Sequence, residues 1–408
     1  MLSVPCEEGT LLYHTLTGLL LLSETGEEPE SARAALIRDW FLVPTDFDEN
    51  RHADELRRVA GLLTPKTGKK TGFTILTTTD CNARCYYCYE KGIPRFSMSE
   101  ETAARVGDYI ADACGGDRVK LHWFGGEPLA NARAIDVICE RLRSRNTPYH
   151  ANMTSNGYYL EPDVIGRAAR EWNLEEIQIT LDGTGEVYKR TKAYVDAVED
   201  PLSRVLGHID SALDAGIHVT IRLNVDAGNA EDLLRLCDQL GERYAGRDGV
   251  CVVVVLIRAF TGKIRAFATE EQAAESFFRL CDRLEALGLL QVSSLEYKLV
   301  GNRCMADNDA CEVILPDGRV AKCEHYDERE VVGTIDSPER DEALLRSWKE
   351  THAYEECKSC ASYPRCGRLA KCAWHRGGCE LSKRLVVEER LRRRILKTYR
   401  EQARRPEA

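Results

Sequence analysis

The sequence lacks the features of a secreted or membrane-bound protein. Its N-terminus has neither the basic start nor the apolar core of a signal peptide, and no stretch reaches the roughly eighteen apolar residues of a membrane span. It also lacks an excess of basic residues: the formal net charge of -10 disfavours a nucleic-acid partner, whose phosphates need a basic surface. We therefore predict a cytoplasmic protein that binds neither membrane nor nucleic acid.

Cysteine, by contrast, is abundant, with 17 in 408 residues. In a reducing cytosol cysteines are better candidates for metal or cluster ligands than for disulfides. Three of them, Cys81, Cys85 and Cys88, lie in a loop after an apolar run with the spacing C-x3-C-x2-C. Three thiolates this close can hold one iron-sulfur cluster and leave one iron open to a small molecule. A zinc loop and chance clustering are the alternatives.

The first 70 residues predict a small α+β unit. Two short strands are expected within residues 11–22, joined around Thr17 and Gly18, and helices at about 29–40 and 50–63. The polar segment 64–72 predicts a linker, and it does not meet the G-x4-G-K-S/T order of a phosphate-binding loop. No chemistry is assigned to this unit.

From residue 73 onward, strand and helix patterns alternate. Six apolar runs predict strands at 73–78, 118–124, 149–155, 175–181, 217–225 and 251–257, with helical stretches such as 101–114 and 130–143 between them. This alternation favours an α/β fold with a parallel sheet and right-handed crossovers, curved into an incomplete barrel. In such sheets the site lies at the carboxyl ends of the strands.

Polar or glycine-rich loops follow the first four of these strands. The first is the cysteine loop, and the second begins with Gly125 and Gly126, which would let the backbone approach a ligand closely. Glu127 and free carbonyls there would suit an ammonium group, although a Gly-Gly pair that only turns the chain is the structural alternative. Arg222 and Asn224 end the fifth strand, and alternation alone leaves open whether they face these loops.

The cysteine spacing, Tyr87 before the third cysteine and the run Gly-Gly-Glu-Pro at 125–128 resemble the signatures of the radical SAM enzymes. This resemblance implies a 4Fe-4S cluster whose open iron chelates S-adenosylmethionine, with cleavage to a 5'-deoxyadenosyl radical. It also implies the cofactor contacts: Tyr87 against the adenine, Gly125, Gly126, Glu127 and Pro128 at the methionine amino group, Thr180 near the ribose and Lys192 at the carboxylate. Lys189 and Arg190 are alternatives to Lys192.

The C-terminal third carries eight further cysteines: Cys304, Cys311, Cys323, Cys357, Cys360, Cys366, Cys372 and Cys379. The run between Cys311 and Cys323 predicts a hairpin that turns at 316–318 and brings these two cysteines together. Eight thiolates complete two four-ligand sites. A pair of zinc sites is the alternative to two clusters.

This cysteine pattern resembles the SPASM extension of the radical SAM superfamily, which implies two auxiliary 4Fe-4S clusters. The implied ligands are Cys304, Cys311, Cys323 and Cys372 for the first, and Cys357, Cys360, Cys366 and Cys379 for the second. Five residues separate Cys366 and Cys372, where relatives commonly have three, so the assignment of Cys372 and Cys379 stays open.

Together these patterns predict five segments. They are a small α+β, leader-recognition-like unit at 1–70, a partial (β/α)6 radical SAM barrel at 71–260, a bridging region at 261–300, a SPASM domain at 301–383 and a C-terminal helix at 384–408.

The resemblance to the SPASM branch implies one of two substrate classes, precursor peptides or sulfatases. The N-terminal unit resembles leader-recognition elements, which could add a leader peptide as a strand to a sheet edge, although a structural cap on the barrel is the alternative. Sulfatase-maturing relatives place an aspartate after the third auxiliary cysteine, where this chain has Glu324, a candidate base.

We therefore expect a maturase that installs a thioether in a ribosomally made precursor peptide, with flavodoxin or ferredoxin as electron donor. The alternative reactions are carbon-carbon cross-linking, epimerisation and formylglycine generation. A further alternative is a non-enzymatic electron-transfer protein.

Overall fold

The structure is a computed structural model that describes residues 1–23, 33–63, 68–257, 265–290, 292–293, 295, 304–325, 328–349, 357, 360, 371–372, 379 and 381–403. The chain divides into two compact units. The first comprises Met1–Pro65, Gln291–Cys304 and Thr351–Ala408, and the second Lys66–Leu290 and Met305–Glu350. The five segment boundaries expected from the sequence stay predictions.

The first unit contains a three-stranded antiparallel sheet in the order β1 (Leu2–Cys6), β2 (Gly9–Tyr13) and β3 (Leu20–Ser23). The expected pair of strands around Thr17 and Gly18 is present, whereas β1 is an additional strand that the sequence did not reveal. Two helices follow, α1 (Arg33–Arg38) and α2 (Glu49–Leu63). Residues 29–32 of the first expected helix lie outside the described residues.

The first unit also contains a long helix, α11 (Leu381–Ala403). Its residue Ile395 is buried in one cluster with Leu2 and Val4 of β1 and Leu11 and Tyr13 of β2. None of the helices in the described ranges is both long and apolar enough to cross a membrane.

The second unit is built on six parallel strands that follow one another in sheet order, as expected. They are β4 (Gly72–Thr78), β5 (Val119–Gly125), β6 (Tyr149–Ser155), β7 (Leu174–Thr180), β8 (His218–Val225) and β9 (Val250–Leu256). The intervening helices are α3 (Glu100–Ala113), α4 (Ala132–Ser144), α5 (Pro162–Arg170), α6 (Gly185–Lys192), α7 (Pro201–Asp214) and α8 (Ala230–Tyr244), and α9 (Glu270–Ala286) comes after β9. This is the α/β architecture that the sequence predicts.

The expected hairpin after Cys311 is formed by β10 (Cys311–Ile314) and β11 (Arg319–Ala321). Its register pairs Val313 with Ala321, and continuing that register by two residues sets Cys311 opposite Cys323. The sequence did not predict that β10 also pairs in parallel with β4. With β12 (Val331–Thr334), the hairpin extends the sheet to nine strands in the order β12-β11-β10-β4-β5-β6-β7-β8-β9, and α10 (Glu342–Lys349) follows it.

Burial alternates along β5, β6, β7 and β8. One face is apolar and fully buried, as at Trp123, Met153 and Ile179. The opposite face, here called the inner face, is half-buried and mainly polar, with the side chains His122, Asn152, Thr154, Gln178, Thr220 and Arg222. Because polar groups are costly to bury without partners, a half-buried polar face is suited to line an open, ligand-accessible space.

The sheet is strongly curved. Arg222 of β8 and His325, just after β11, belong to strands six positions apart in the sheet order. In a flat sheet that separation would be about 29 Å, at about 4.8 Å per strand. Yet the charge of Arg222, after burial, helps to lower the pKa of His325 to about 4. Arg222 and His325 therefore lie closer together than a flat sheet would allow, as the strand curvature of an incomplete barrel requires.

Candidate active site

The cysteine loop follows β4 directly and is tied to the rest of the second unit by its backbone. Thr79 N–H donates to the carbonyl of Phe96 (2.9 Å), and Val195 N–H donates to the carbonyl of Asn82 (2.8 Å). Arg84 N–H donates to the carbonyl of Lys192 (2.8 Å). Strand β4 and the end of α6 therefore fix the positions of the three cysteines.

The thiols of this loop have the properties of cluster ligands. Burial, with a smaller effect of Glu127, raises the pKa of Cys81 to about 12, and burial raises the pKa of Cys88 to about 12 and also raises that of Cys85. Ala83 N–H donates to Cys81 Sγ at 3.3 Å, and Asn156 Nδ2 lies 3.9 Å from it. Buried sulfurs with amide donors suit a cationic iron cluster, since the irons supply the charge that favours the thiolates.

Within the described ranges, no three His, Cys, Asp or Glu side chains are grouped to hold a single metal ion. A cubane cluster needs its thiolates farther apart than a single ion does, because each thiolate binds a different iron. The three loop cysteines therefore stay the predicted ligands of a cluster, with a zinc loop as the alternative.

Gly125 and Gly126 are required by a close approach of backbone to backbone. A Cβ on Gly125 would lie 2.2 Å from the carbonyl oxygen of Thr78, and one on Gly126 would lie 2.3 Å from that of Asp80. Gly125 also has a φ of 115°, which side chains other than glycine rarely adopt. These glycines therefore pack the second loop directly against the cysteine loop.

The carboxylate of Glu127 is fully buried and engaged within the protein. It accepts hydrogen bonds from Leu129 N–H (3.1 Å), Ser155 Oγ–H (2.8 Å) and Asn156 N–H (2.8 Å). Its role in this structure is to join the loops after β5 and β6. The predicted cofactor contacts of Glu127 and Pro128 stay predictions. Because the Glu127 carboxylate is engaged, its contact would have to be made by backbone atoms. The Pro128 carbonyl already accepts a hydrogen bond from Thr77 Oγ1 (3.2 Å).

A buried polar cluster lies behind the cysteine loop. Lys192 Nζ forms an ion pair with Asp182 Oδ2 (2.7 Å) and donates to Thr180 Oγ1 (2.5 Å), with Lys192 and Asp182 only 1% and 0% exposed. Burial alone would lower the pKa of Lys192, but Asp182 reverses this effect and the pKa is raised. Tyr87 Oη–H donates to the same carboxylate at 2.5 Å. The structure thus brings three predicted cofactor residues together.

Asp182, which joins them, was not singled out as a site residue from the sequence. The available signal was its position directly after a strand, where the Thr-Leu-Asp-Gly run at 180–183 begins a loop. Lys189, the alternative to Lys192, instead forms an exposed pair with Glu186 (2.9 Å). The adenine, ribose and carboxylate contacts assigned to Tyr87, Thr180 and Lys192 stay predictions.

Arg222 and Asn224 both face the loops at the carboxyl ends of the strands, which resolves the ambiguity left by the sequence. Asn224 Nδ2–H donates to Tyr87 Oη (3.2 Å), and Arg222 Nε–H donates to Asn224 Oδ1 (2.8 Å). We call this edge, where the loops after β4 to β8 meet, the carboxyl-end mouth.

The segment after β11 reaches the same mouth. The ring of His325 contacts that of Tyr89 at a centroid distance of 4.0 Å, and Tyr89 is the residue after the third loop cysteine. Glu324 Oε1 lies 3.9 Å from His325 Nε2, and burial raises the pKa of Glu324. The buried Cys323 is therefore next to a segment that touches the cysteine loop.

The remaining predicted ligands belong to the first unit. Within the C-x2-C pair, Cys360 N–H donates to the carbonyl of Cys357 (3.0 Å), which forms a tight turn. Cys304, Cys372 and Cys379 are also described, whereas Cys366 lies outside the described residues. The auxiliary cluster assignments stay predictions.

Residues 75–240 match the family model of the Radical SAM superfamily. The chain spans between 52% and 61% of the length of three curated relatives, the GTP 3',8-cyclases of Nautilia profundicola and Campylobacter fetus and the probable GTP 3',8-cyclase of Thermococcus kodakarensis. The corresponding protein of Corynebacterium glutamicum strain R is 30% identical over 219 residues, which are 51% of this chain and 53% of that protein. The match and the cysteine loop together define a radical SAM domain.

The fold of most of the chain resembles two solved structures. Native anSMEcpe with bound AdoMet and the Cp18Cys peptide matches with a TM-score of 0.61 at 16% identity, over 81% of this chain and 99% of that one. Streptococcus suis SuiB bound to the precursor peptide SuiA matches with a TM-score of 0.56 at 12% identity, over 91% and 92%. At these identities the likeness establishes the fold.

Proposed function

We propose that this chain is a radical SAM peptide maturase, which abstracts hydrogen from a ribosomally made precursor peptide and installs a Cys sulfur-to-carbon thioether. One observation carries the proposal: the His325 ring contacts Tyr89 at 4.0 Å, so the segment after Cys323 adjoins the cysteine loop. A radical SAM domain without auxiliary chemistry would not need a cysteine-bearing hairpin at its mouth.

Cys81, Cys85 and Cys88 would hold the 4Fe-4S cluster, which when bound supplies the electron that cleaves S-adenosylmethionine. Gly125 and Gly126 hold the adjoining backbone against the cysteine loop, and the buried pair of Asp182 and Lys192 orders the mouth behind it. We further propose two auxiliary 4Fe-4S clusters on the eight C-terminal cysteines, and Glu324 as the candidate base.

The substrate class is proposed from two features. The solved structures of similar fold include SuiB bound to a precursor peptide and anSMEcpe with a peptide. Within the described residues, strand β3 is also an edge of the first unit's sheet, because β2 pairs with one of its sides and no described strand pairs with the other. An edge strand offers unpaired backbone groups to which a leader peptide could add.

The test is an anaerobic incubation of the reconstituted protein with S-adenosylmethionine, a reductant and the small peptide encoded beside its gene. Intact mass and thiol labelling then report the product. Loss of two hydrogens and one labelled thiol per bond supports a thioether, whereas loss of two hydrogens with every thiol still reactive indicates a carbon-carbon link. An unchanged peptide with deoxyadenosine still produced rejects this substrate and favours the sulfatase-type alternative.

GTP 3',8-cyclisation is a second candidate, because the curated relatives carry that name. We rank it second because the match to the first relatives covers only about half of each protein. A parallel incubation with GTP in place of the peptide separates the two candidates: consumption of GTP would favour cyclisation.

A further inference from the structure

Arg222 carries a positive charge that the described part of the protein does not neutralise. Its one hydrogen bond is from Nε–H to the neutral amide oxygen of Asn224 (2.8 Å), and it forms no ion pair with any described carboxylate. Burial lowers the pKa of its guanidinium, yet arginine stays protonated at any physiological pH. The charge must therefore be balanced by something other than these side chains.

The carboxylate whose charge acts on Arg222 is already engaged. Asp182 pairs with Lys192 Nζ (2.7 Å) and accepts a hydrogen bond from Tyr87 Oη–H (2.5 Å). Among the described residues, the guanidinium of Arg222 is therefore left without a carboxylate partner of its own.

The two terminal nitrogens of Arg222 remain accessible. They donate to no described residue. Since neither of them is a buried atom left without a partner, both reach solvent-accessible space. Arg222 lies opposite Thr180 in the β7–β8 register, on the inner face that ends at the mouth. The flat fork of a guanidinium matches a carboxylate with two parallel hydrogen bonds.

We propose that Arg222 binds a carboxylate of the peptide substrate, either an acidic side chain or the C-terminal carboxylate, and thereby sets which residue lies at the reacting position. This inference rests on the proposed peptide function. A single unmatched cation suits a singly charged carboxylate better than a polyphosphate. Lys192 lies beside the cysteine loop, with its carbonyl 3.9 Å from Cys85 Sγ, whereas Arg222 lies on β8 and belongs to the half-buried inner face.

The first experiment uses the full-length reconstituted protein and the peptide encoded beside its gene. Each Asp and Glu of the peptide is changed in turn to Asn or Gln, and a variant with an amidated C-terminus is added. We expect one of these neutral peptides to lose about tenfold or more in kcat/KM, the effect of a charge-assisted hydrogen-bonded pair. With Arg222→Gln, the parent peptide should lose as much, and the sensitive neutral peptide should lose nothing further.

Controls separate this role from cofactor binding and from general damage. Arg279→Gln makes the same change at an exposed arginine of α9 that pairs with Glu231 (2.6 Å), away from the inner face, and should process the parent peptide like the unaltered protein. The Kd of S-adenosylmethionine should be the same for Arg222→Gln and the unaltered protein. A weaker Kd with unchanged discrimination among peptides would assign Arg222 to the cofactor's carboxylate and overturn the proposal.

A second arm needs no turnover, so it separates failure of this inference from failure of the proposed function. Glutarate, with glutaramide as its uncharged counterpart, is titrated into the reconstituted protein while the thermal unfolding midpoint is recorded. We expect glutarate, and not glutaramide, to raise the midpoint, with the rise kept in Arg279→Gln and lost in Arg222→Gln. No rise in the unaltered protein, or an equal rise in Arg222→Gln, would refute carboxylate binding, whatever the peptide assay gives.

Discussion

At the scale of single residues, the site depends on a buried ion pair that the sequence only half revealed. Lys192 was a candidate for binding a cofactor carboxylate, but its Nζ is held by Asp182 at 2.7 Å, with both side chains sealed from solvent. Such a pair gives little net stability over an apolar pair, while loss of one partner leaves a buried charge without compensation. Asp182 therefore has a structural role as well as a place in the site.

We predict that Asp182→Asn lowers the free energy of unfolding by about 3 kcal/mol or more, because Lys192 then loses its counter-charge. The double variant Asp182→Asn with Lys192→Met should lose less than the sum of the two single variants. Denaturant unfolding measures both effects. Lys189→Met removes an exposed pair from the same helix α6 and serves as the control, with a much smaller expected loss because solvent screens that pair. If Asp182→Asn unfolds like Lys189→Met, the pair is not important for stability.

Gly126 gives a second test at this scale. Gly126→Ala would set a Cβ 2.3 Å from the Asp80 carbonyl oxygen, so either loop must move. We predict a lower unfolding midpoint and less iron bound per chain after reconstitution. The same substitution at Gly207, in α7, meets no atom within 4 Å and should retain iron, with a gain of about 0.5–1 kcal/mol from better helix propensity. Full iron content in Gly126→Ala would show that the close approach of the loops is not required.

At the scale of elements, local sequence patterns were sufficient to predict the strands and the hairpin, but they could not predict which distant strands pair. The six βα strands could be predicted because runs such as 251–255 are apolar and β-branched. The hairpin after Cys311 could be predicted from its turn residues. Its parallel pairing with β4 could not, because the partners Val313 and Thr74 are far apart in sequence and no local pattern encodes that register.

The edge strand β3 gives the prediction at this scale. If the leader peptide adds to the sheet of the first unit, hydrogen exchange at Leu20–Ser23 should slow when leader peptide is added, because its outward backbone groups gain partners. Strand β1, at Leu2–Cys6, is the internal control at the opposite edge and should show little change. Equal protection of both strands, or of neither, would contradict the leader-binding proposal and favour a structural cap.

At the scale of the whole molecule, the fold class and the cysteine loop were accessible from sequence because a short spacing and a repeated βα pattern carry them. The inner face was not accessible. Strand alternation could not decide whether Arg222 faces the mouth, and the hydrogen bonds from Arg222 to Asn224 and from Asn224 to Tyr87 answer it. The proposed substrate contact at Arg222 therefore had to come from the structure.

The central claim is that the loops at the carboxyl-end mouth form a radical SAM site around Cys81, Cys85 and Cys88. The most direct measurement is the yield of 5'-deoxyadenosine from S-adenosylmethionine after anaerobic reconstitution and reduction. We predict that the unaltered protein and Cys139→Ala, which changes a buried thiol of α4 outside the site, form the nucleoside, and that Cys85→Ala forms none. Absence of the nucleoside from unaltered protein with a full iron load, or an equal yield from Cys85→Ala, would contradict the account.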